Sequence, residues 1–240
     1  MIGSGIARIS TNEPPRSLAT LQVDVIADLV CPWSYLGKKR LDEALVAVHG
    51  PSNVTWFPFQ INPAMPESGM PFEEYLATKF GDPDLLQPAI DQLVAAGAEQ
   101  GIEFRFDRIT HVPNTLNAHR LMNLAEQQSA DASLLAEGIL NSFFAHGQDI
   151  SDPDVLADLG NDAGLGTTEI LTTLEDERSK SIVLSQEAQV RQSGITGVPD
   201  FLINKRLFVV GPHKTESLVN VFDRAMFGEE SDLPVSAVIH

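Results

Sequence analysis

The sequence contains one cysteine, Cys31, among its 240 residues. A single cysteine excludes an internal disulfide, so any disulfide that Cys31 forms must join it to another molecule. Chains without a disulfide framework are typical of reducing compartments, and we therefore expect a cytoplasmic protein.

Basic residues, long apolar runs and clustered histidines are also scarce. The chain has 16 Lys and Arg against 33 Asp and Glu, which gives a formal net charge of −17. Such a surface repels phosphate backbones and anionic lipids, so we expect neither a nucleic-acid nor a membrane partner. No apolar run reaches the roughly 18 residues that predict a membrane span. The six histidines lack metal-ligand spacing, which argues against a metal site.

Apolar periodicity predicts an α/β fold that opens with a strand, a helix and a second strand. Residues 21–28 begin with the alternation of a strand. Apolar residues between 41 and 48 recur at helical offsets of three, four and seven, and residues 54–59 form a β-branched and aromatic run. This order is the opening unit of an α/β layer fold.

From about residue 71 to residue 194 the pattern predicts helices and no convincing pair of strands. A hairpin over Phe201–Asn204 and Leu207–Val210 and a closing helix over Lys214–Phe227 then restore the α/β pattern. The helices predicted before that hairpin are Glu73–Phe80, Leu85–Gln100, Thr115–Gln128, Ala132–His146, Pro153–Ala163 and Thr168–Gln192.

Cys31 lies where the first predicted strand ends and the first predicted helix begins. Pro32 suits the first helical position, as Pro153 does after the predicted N-cap Asp152. The free N–H groups and the dipole of the helix point towards a side chain at Cys31, which predicts a lowered thiol pKa. Ser34 is placed to donate a hydrogen bond to a thiolate. The alternative is that Cys31 is a small buried hydrophobe, a common fate for a free cysteine.

Pro199 directly precedes the predicted hairpin, where it cannot complete an interior hydrogen-bond ladder. A cis Val198–Pro199 bond would turn the chain sharply at this point. The alternative is a trans proline in a surface turn.

Taken together, these motifs resemble the thioredoxin fold with a large all-helical insertion, as in DsbA-like proteins. More narrowly, the chain resembles the FrnE-like and 2-hydroxychromene-2-carboxylate isomerase branch over about residues 21–227. The resemblance rests on Val30–Lys38, Trp56–Pro63, Pro113–Thr115 with Ala118–Arg120, and Gly194–Pro199. It implies a thioredoxin domain (21–64 and 193–227) and a helical insertion domain (65–192). The polar, proline-rich composition before residue 21 predicts a disordered or loosely packed tail (1–20), and the acidic stretch after residue 227 predicts a second tail (228–240).

The resemblance also implies a set of site residues. It places Cys31 opposite Val198-Pro199, where an extended peptide or glutathione would bind as a short added strand. Pro32 and Trp33 are expected to contact the same substrate. A polar motif near this cleft consists of Asn114, Thr115 and His119. His119 would orient a substrate or assist proton transfer, or it is a satisfied helix histidine.

Ser34 departs from the family pattern and determines the predicted function. FrnE-like oxidoreductases usually carry Cys-Pro-Trp-Cys, whereas isomerase and kappa-class glutathione transferase relatives typically have serine at the first of these positions. We therefore predict a monothiol thiol–disulfide oxidoreductase in which Cys31 and Ser34 are the catalytic residues and Cys31 forms mixed disulfides with protein or glutathione.

The predicted partners are protein or small-molecule disulfides and thiols, with glutathione as a candidate co-substrate and no tightly bound cofactor. The resemblance implies a homodimer. One alternative is a glutathione-dependent isomerase or transferase acting on a small organic electrophile. Another is a redox-silent protein that binds peptides. A serine introduced to trap a mixed disulfide would give the same sequence.

Overall fold

The computed structural model describes residues 20–81 and 86–228. The predicted tails therefore lie outside the described residues, apart from residues 20 and 228, and so does Leu85. Six strands are present in the described part of the chain. They are β1 Leu21–Ala27, β2 Ser52–Pro58, β3 Met70–Pro71, β4 His111–Val112, β5 Asp200–Ile203 and β6 Leu207–Val210.

The central sheet has four strands in the order β2-β1-β5-β6. β1 runs parallel to β2, with Val23 opposite Val54, and antiparallel to β5, with Val23 opposite Ile203. β6 returns antiparallel to β5 and completes the predicted hairpin. Strands from both ends of the described chain thus form one sheet, as the predicted fold requires.

The helices between β2 and β5 agree with most of the predicted bounds to within two residues. Two further helices flank the sheet, one after β1 and one after β6. The described helices are α1 Pro32–Ala47, α2 Phe72–Phe80, α3 Gln87–Glu99, α4 Leu116–Gln128, α5 Ala132–His146, α6 Pro153–Asp162, α7 Thr167–Glu175, α8 Glu177–Gln192 and α9 Thr215–Phe227. We call residues 72–192, which contain α2 to α8, the helical segment.

Two predictions for the segment before β5 are wrong. The single helix predicted over Thr168–Gln192 is two helices, because Asp176 has extended backbone angles and its carboxylate accepts the N–H of Arg178 at the start of α8. A pair of strands also exists where none was predicted: β3 and β4 are antiparallel, with Met70 opposite Val112. Each has two residues, which is too short for an alternating pattern to develop.

Helix α1 belongs to both of the two main apolar cores. Its first turns bury Tyr35 and Leu36 in the core of the helical segment. Its later turns bury Leu41 and Ala44 against the sheet and α9. The residues around Cys31 therefore lie where the sheet meets the helical segment.

Among the residues described, no helix combines the length and the apolar character needed to cross a membrane.

Candidate functional site

Cys31 is the N-cap residue of α1, and Pro32 occupies the first helical position. The carbonyl of Cys31 accepts the first helical hydrogen bonds, from the N–H of Ser34 at 3.0 Å and of Tyr35 at 3.2 Å. Its side chain caps none of the N–H groups of the helix. The side chain of Trp33 is 37% exposed, the largest apolar group that this motif presents to solvent. The start of α1 therefore has the predicted geometry.

The thiol of Cys31 faces the loop that precedes β5. Its Sγ donates to the carbonyl oxygen of Val198 at 3.8 Å. The Val198–Pro199 bond is cis, as predicted. Helix α1 lies close to this loop. A Cβ added at Gly37 would be only 2.8 Å from Cγ of Pro199. The structure thus brings together three predicted site residues, Cys31, Val198 and Pro199.

The predicted lowering of the Cys31 pKa is wrong. The side chain is buried, with 5% exposure. Burial raises the pKa of the Cys31 thiol, because desolvation disfavours the thiolate, and the nearby charge of Asp28 acts in the same direction. The hydroxyl and N–H of Ser34 and the N–H of Trp33 favour a thiolate and so lower the pKa, but burial outweighs them. The groups at the start of α1 thus lower the pKa of Cys31 as expected, but their effect is smaller than that of burial.

Ser34 is buried directly behind Cys31, with 2% exposure. Its hydroxyl oxygen accepts the N–H of Asp28 at 3.4 Å, and the same hydroxyl favours a thiolate at Cys31 and so lowers the pKa of that thiol. A hydroxyl can stabilise a thiolate by hydrogen bonding but cannot displace a disulfide-bonded partner. Ser34 therefore supports the sulfur without supplying a second thiol.

Asn114 and Thr115 hold two loops together. The amide of Asn114 donates to the carbonyl of Met65 at 2.7 Å, and its side-chain oxygen accepts the N–H of Leu116. The side-chain amide of Gln60 donates to the Thr115 hydroxyl at 3.3 Å. These contacts fix the chain after β2 against the start of α4. Asn114 and Thr115 thus lie beside the loop after β2, which contains the end of the Trp56–Pro63 motif.

His119 reaches the cysteine motif through Asp28, a residue that the sequence reasoning missed. Nε2 of His119 lies 3.3 Å from Oδ1 of Asp28, and both side chains are buried. The other carboxylate oxygen of Asp28 accepts the N–H of Ile61 at 2.6 Å. An acidic residue between the end of β1 and the apolar pair Leu29-Val30, just before a cysteine motif, is the sequence feature that could have identified it.

A cavity of about 440 Å³ lies against the sheet face opposite α1 and α9. Its walls are mainly apolar and include Phe57 of β2, Val190 of α8 and Ile195. Ile195 and Val198 pack into the same small apolar cluster as Val190. The cavity is thus linked by direct packing to the loop that faces Cys31.

Comparison with known proteins gives a consistent family match. The family described as DSBA-like thioredoxin domain matches residues 22–223. The uncharacterized protein YwbO of Bacillus subtilis is 23% identical over 216 residues, covering 88% of this chain and 98% of that protein. A probable DsbA oxidoreductase from Streptomyces coelicolor is 27% identical with a TM-score of 0.78, covering 89% of this chain and 93% of that one. A 2-hydroxychromene-2-carboxylate isomerase is 15% identical with a TM-score of 0.65, covering 85% and 95%.

Proposed function

Because the chain belongs to the DSBA-like thioredoxin domain family, we propose that it is a thiol–disulfide oxidoreductase that works with one active-site cysteine. The observation that carries the proposal is the position of Cys31: its Sγ lies 3.8 Å from the Val198 carbonyl oxygen, beside the cis Val198–Pro199 bond. The chain has no second cysteine. The mixed disulfide must therefore be released by a thiol from another molecule.

The proposed cycle has two exchange steps. The Cys31 thiolate attacks one sulfur of a substrate disulfide, forms a mixed disulfide and expels the other substrate sulfur as a thiolate, which takes up a proton. An external thiolate, with glutathione as the candidate, then attacks the substrate sulfur of the mixed disulfide. This step returns Cys31 to the thiolate and leaves a disulfide between substrate and glutathione. One substrate disulfide bond has been exchanged for another, and the enzyme is unchanged.

The surrounding residues have distinct proposed roles in this cycle. The substrate backbone pairs with the chain at Val198 and Pro199 as a short added strand. The exposed ring of Trp33 covers the apolar side of the substrate, while Pro32 fixes the start of α1. Ser34 stabilises the thiolate. Asn114, Thr115 and His119 maintain the loop and the carboxylate behind the motif.

The test is an exchange assay that separates external from internal resolution of the mixed disulfide. With native protein, the glutathionyl adduct on Cys31 should accumulate after exposure to oxidised glutathione, and turnover of a disulfide substrate should require added glutathione. Ser34→Cys supplies a neighbouring thiol at high effective concentration and should reduce that requirement. Intact mass and turnover with and without glutathione report both effects. Turnover by native protein that is independent of any added thiol would reject the monothiol cycle.

One observation favours a second candidate function. The pKa of Cys31 is raised by burial, and an apolar cavity packs against the loop that faces it. Both suit a glutathione-dependent isomerase or transferase that holds a small apolar electrophile, with Cys31 or Ser34 stabilising the glutathione thiolate. In that case the glutathione-dependent reaction on the electrophile would continue after Cys31→Ala, and the adduct would not form with native protein.

We also propose that the protein is located in a reducing cytoplasm and that it forms a homodimer. The single cysteine supports the first, since no structural disulfide has to be kept oxidised. Light scattering on the purified protein tests whether it is a homodimer, and fractionation of the native cell tests its location.

A further inference from the structure

The apolar cavity lies against the back of the two central strands of the sheet, β1 and β5. On the front face, Val25 of β1 and Phe201 of β5 pack into the core that contains residues of α1 and α9. Because side chains alternate along a strand, Ile26 and Leu202 project to the opposite face, where both line the cavity. The cavity therefore occupies the sheet face that α1 and α9 do not cover.

The size and walls of this cavity suit a small molecule. Its volume of about 440 Å³ falls within the roughly 300–1,000 Å³ that is typical of small-molecule sites. The rings of Phe57 and Phe208 form part of the lining, and Phe208 is 37% exposed. Such sites bury the apolar body of a ligand and orient it with a few polar groups. We therefore expect a ligand whose body is aromatic or aliphatic.

Asp24 determines which charge the ligand can carry. Among the described residues that line the cavity, it is the one with a charged side chain. The carboxylate is buried and pairs with Lys205, whose ammonium also lies 5.6 Å from the centroid of the Phe57 ring. The paired carboxylate still accepts hydrogen bonds, because it has two oxygens. An anion would be repelled by this carboxylate and by the net charge of −17.

The loop between α8 and β5 connects the cavity to Cys31. Ile195 lines the cavity and packs into the same apolar cluster as Val198. The carbonyl oxygen of Val198 accepts the thiol of Cys31, with 3.8 Å between sulfur and oxygen. A ligand that packs against Ile195 therefore contacts the segment that holds the resting thiol.

We propose that this cavity is a second ligand site, which takes an uncharged, mainly apolar molecule carrying one hydrogen-bond donor. The donor pairs with Asp24, and the apolar body lies between the sheet and α8. The occupant restrains the loop at Ile195 and so keeps the thiol of Cys31 on Val198. The site goes beyond the proposed exchange cycle, in which the cavity takes no part. It changes the reactivity of Cys31 through the loop and requires no reaction of the ligand.

The first experiment titrates the full-length protein with N-phenyl-1-naphthylamine, an uncharged probe with one N–H group whose fluorescence rises in apolar surroundings. The matched probe is 8-anilino-1-naphthalenesulfonate, which adds a sulfonate to the same aromatic frame. The uncharged probe should bind saturably at one site, and the sulfonated probe about tenfold more weakly, because its charge meets that of Asp24. Asp24→Asn should bring the two affinities together. Equal affinities in the native protein, or a difference that Asp24→Asn leaves unchanged, overturn the proposed ligand class.

Substitutions that fill the cavity test where the uncharged probe binds. Leu202→Trp should abolish saturable binding, because the indole occupies the space of the ligand. Leu134→Trp makes the same change at a half-exposed position of α5 outside the cavity and should retain native affinity. Circular dichroism establishes that each variant is folded. Gln189→Trp, at an exposed lining position of α8, decides the outcome if Leu202→Trp does not fold. Native affinity in the folded cavity variant overturns the proposal.

The second experiment measures the rate of Cys31 alkylation by iodoacetamide with and without a saturating concentration of N-phenyl-1-naphthylamine. The bound probe should slow alkylation of the native protein about fivefold, because it stabilises the loop that accepts the thiol, and should have no effect on Leu202→Trp. An unchanged rate in the saturated native protein overturns the link between the cavity and Cys31. Neither experiment requires turnover, so a failure of disulfide exchange would reject the proposed function and leave this site standing.

Discussion

Two helices of this protein begin with the same local pattern and use it differently. In α6, Asp152 precedes Pro153, and its carboxylate caps the helix by accepting the N–H of Asp154 at 2.8 Å. In α1, Cys31 precedes Pro32, but its side chain caps no N–H group and points at Val198 instead. The first turn of α1 therefore keeps N–H groups available to a charge on the sulfur, whereas α6 uses its N-cap for stability. Of these two helices, the one without a side-chain cap is the one whose N-cap residue we propose to react.

The largest expected effect comes from exchanging the two N-cap side chains for serine. Cys31→Ser should abolish glutathione-dependent turnover of a disulfide substrate, because a hydroxyl forms no mixed disulfide. Asp152→Ser keeps a side-chain oxygen for capping and should retain native turnover. Turnover assays on the two purified variants check both outcomes. Exchange by Cys31→Ser above the uncatalysed rate would remove Cys31 from the mechanism.

The close packing of α1 on the loop before β5 should be the next most sensitive feature. Gly37→Ala places a Cβ 2.8 Å from Cγ of Pro199, so the loop must shift, and we expect a loss of about 1–3 kcal/mol in the free energy of unfolding. Gly138→Ala in α5 is the control, since its Cβ would meet only the end of Leu159 at 3.3 Å. Urea denaturation measures both. Equal stabilities for the two variants would show that the approach of α1 to Pro199 tolerates a methyl group.

Asp200, a buried aspartate at the start of β5 beside Pro199, contrasts with the exposed N-cap Asp152. Burial raises the pKa of Asp200 to about 6, so ionisation disfavours the folded state. The contribution of Asp200 to stability should therefore be lost as the pH rises from about 4 to about 6, and this residue should cause no further change above that range. Asp200→Asn keeps an oxygen for the N–H of Gly211 and should stabilise the protein by about 1–2 kcal/mol at pH 7.

This gain from Asp200→Asn should disappear at pH 4, where the native carboxyl is protonated in the folded state. Thermal melts of both proteins across this pH range check the prediction. A gain that is the same at pH 4 and pH 7 would mean that the amide stabilises the protein by something other than removing a buried charge.

The smallest expected effect is the loss of the cap on α6. Asp152→Ala should lower the free energy of unfolding by about 1 kcal/mol, because the N–H of Asp154 loses its partner. Asp158→Ala, in the same helix at an exposed position, is the control and should change stability by less. Chemical denaturation measures both. If the two variants are equally stable, the cap on α6 contributes no more to the free energy of unfolding than an ordinary surface residue does. The difference between the N-caps of α6 and α1 would then have no effect on stability.

The sequence predicts those features that depend on neighbouring residues. The strand before Cys31, the proline after it and the cis bond before Pro199 are local, and all three are found as predicted. The pair of Asp28 and His119 joins residues 91 positions apart, and no local pattern identifies such a partner. The raised pKa of Cys31 has the same origin, because the burial that causes it comes from packing between distant segments.

The helix break at Asp176 depends both on neighbouring residues and on a distant contact. Its capping pattern is local and resembles the one predicted at Asp152, but a continuous helical periodicity across residues 168–192 hid it. Buried polar contacts explain why the chain breaks here: the guanidinium of Arg120 donates to the carbonyls of Thr173 and Asp176, which a continuous helix would have used internally. The contacts of Arg120, on helix α4, thus favour two helices over the single helix that the local pattern predicted.

The pairing of β1 with β5 also sets the order in which a growing chain can assemble this site. Val23 meets its sheet partner Ile203 only after nearly all of the described chain has left the ribosome. Such distant pairings form late, because the chain that separates them must first be ordered. During synthesis, Cys31 is therefore a solvated cysteine without the burial that restrains it in the finished protein. The nascent chain passes through a period in which its only thiol is open to any oxidant in its surroundings, and folding itself ends that exposure.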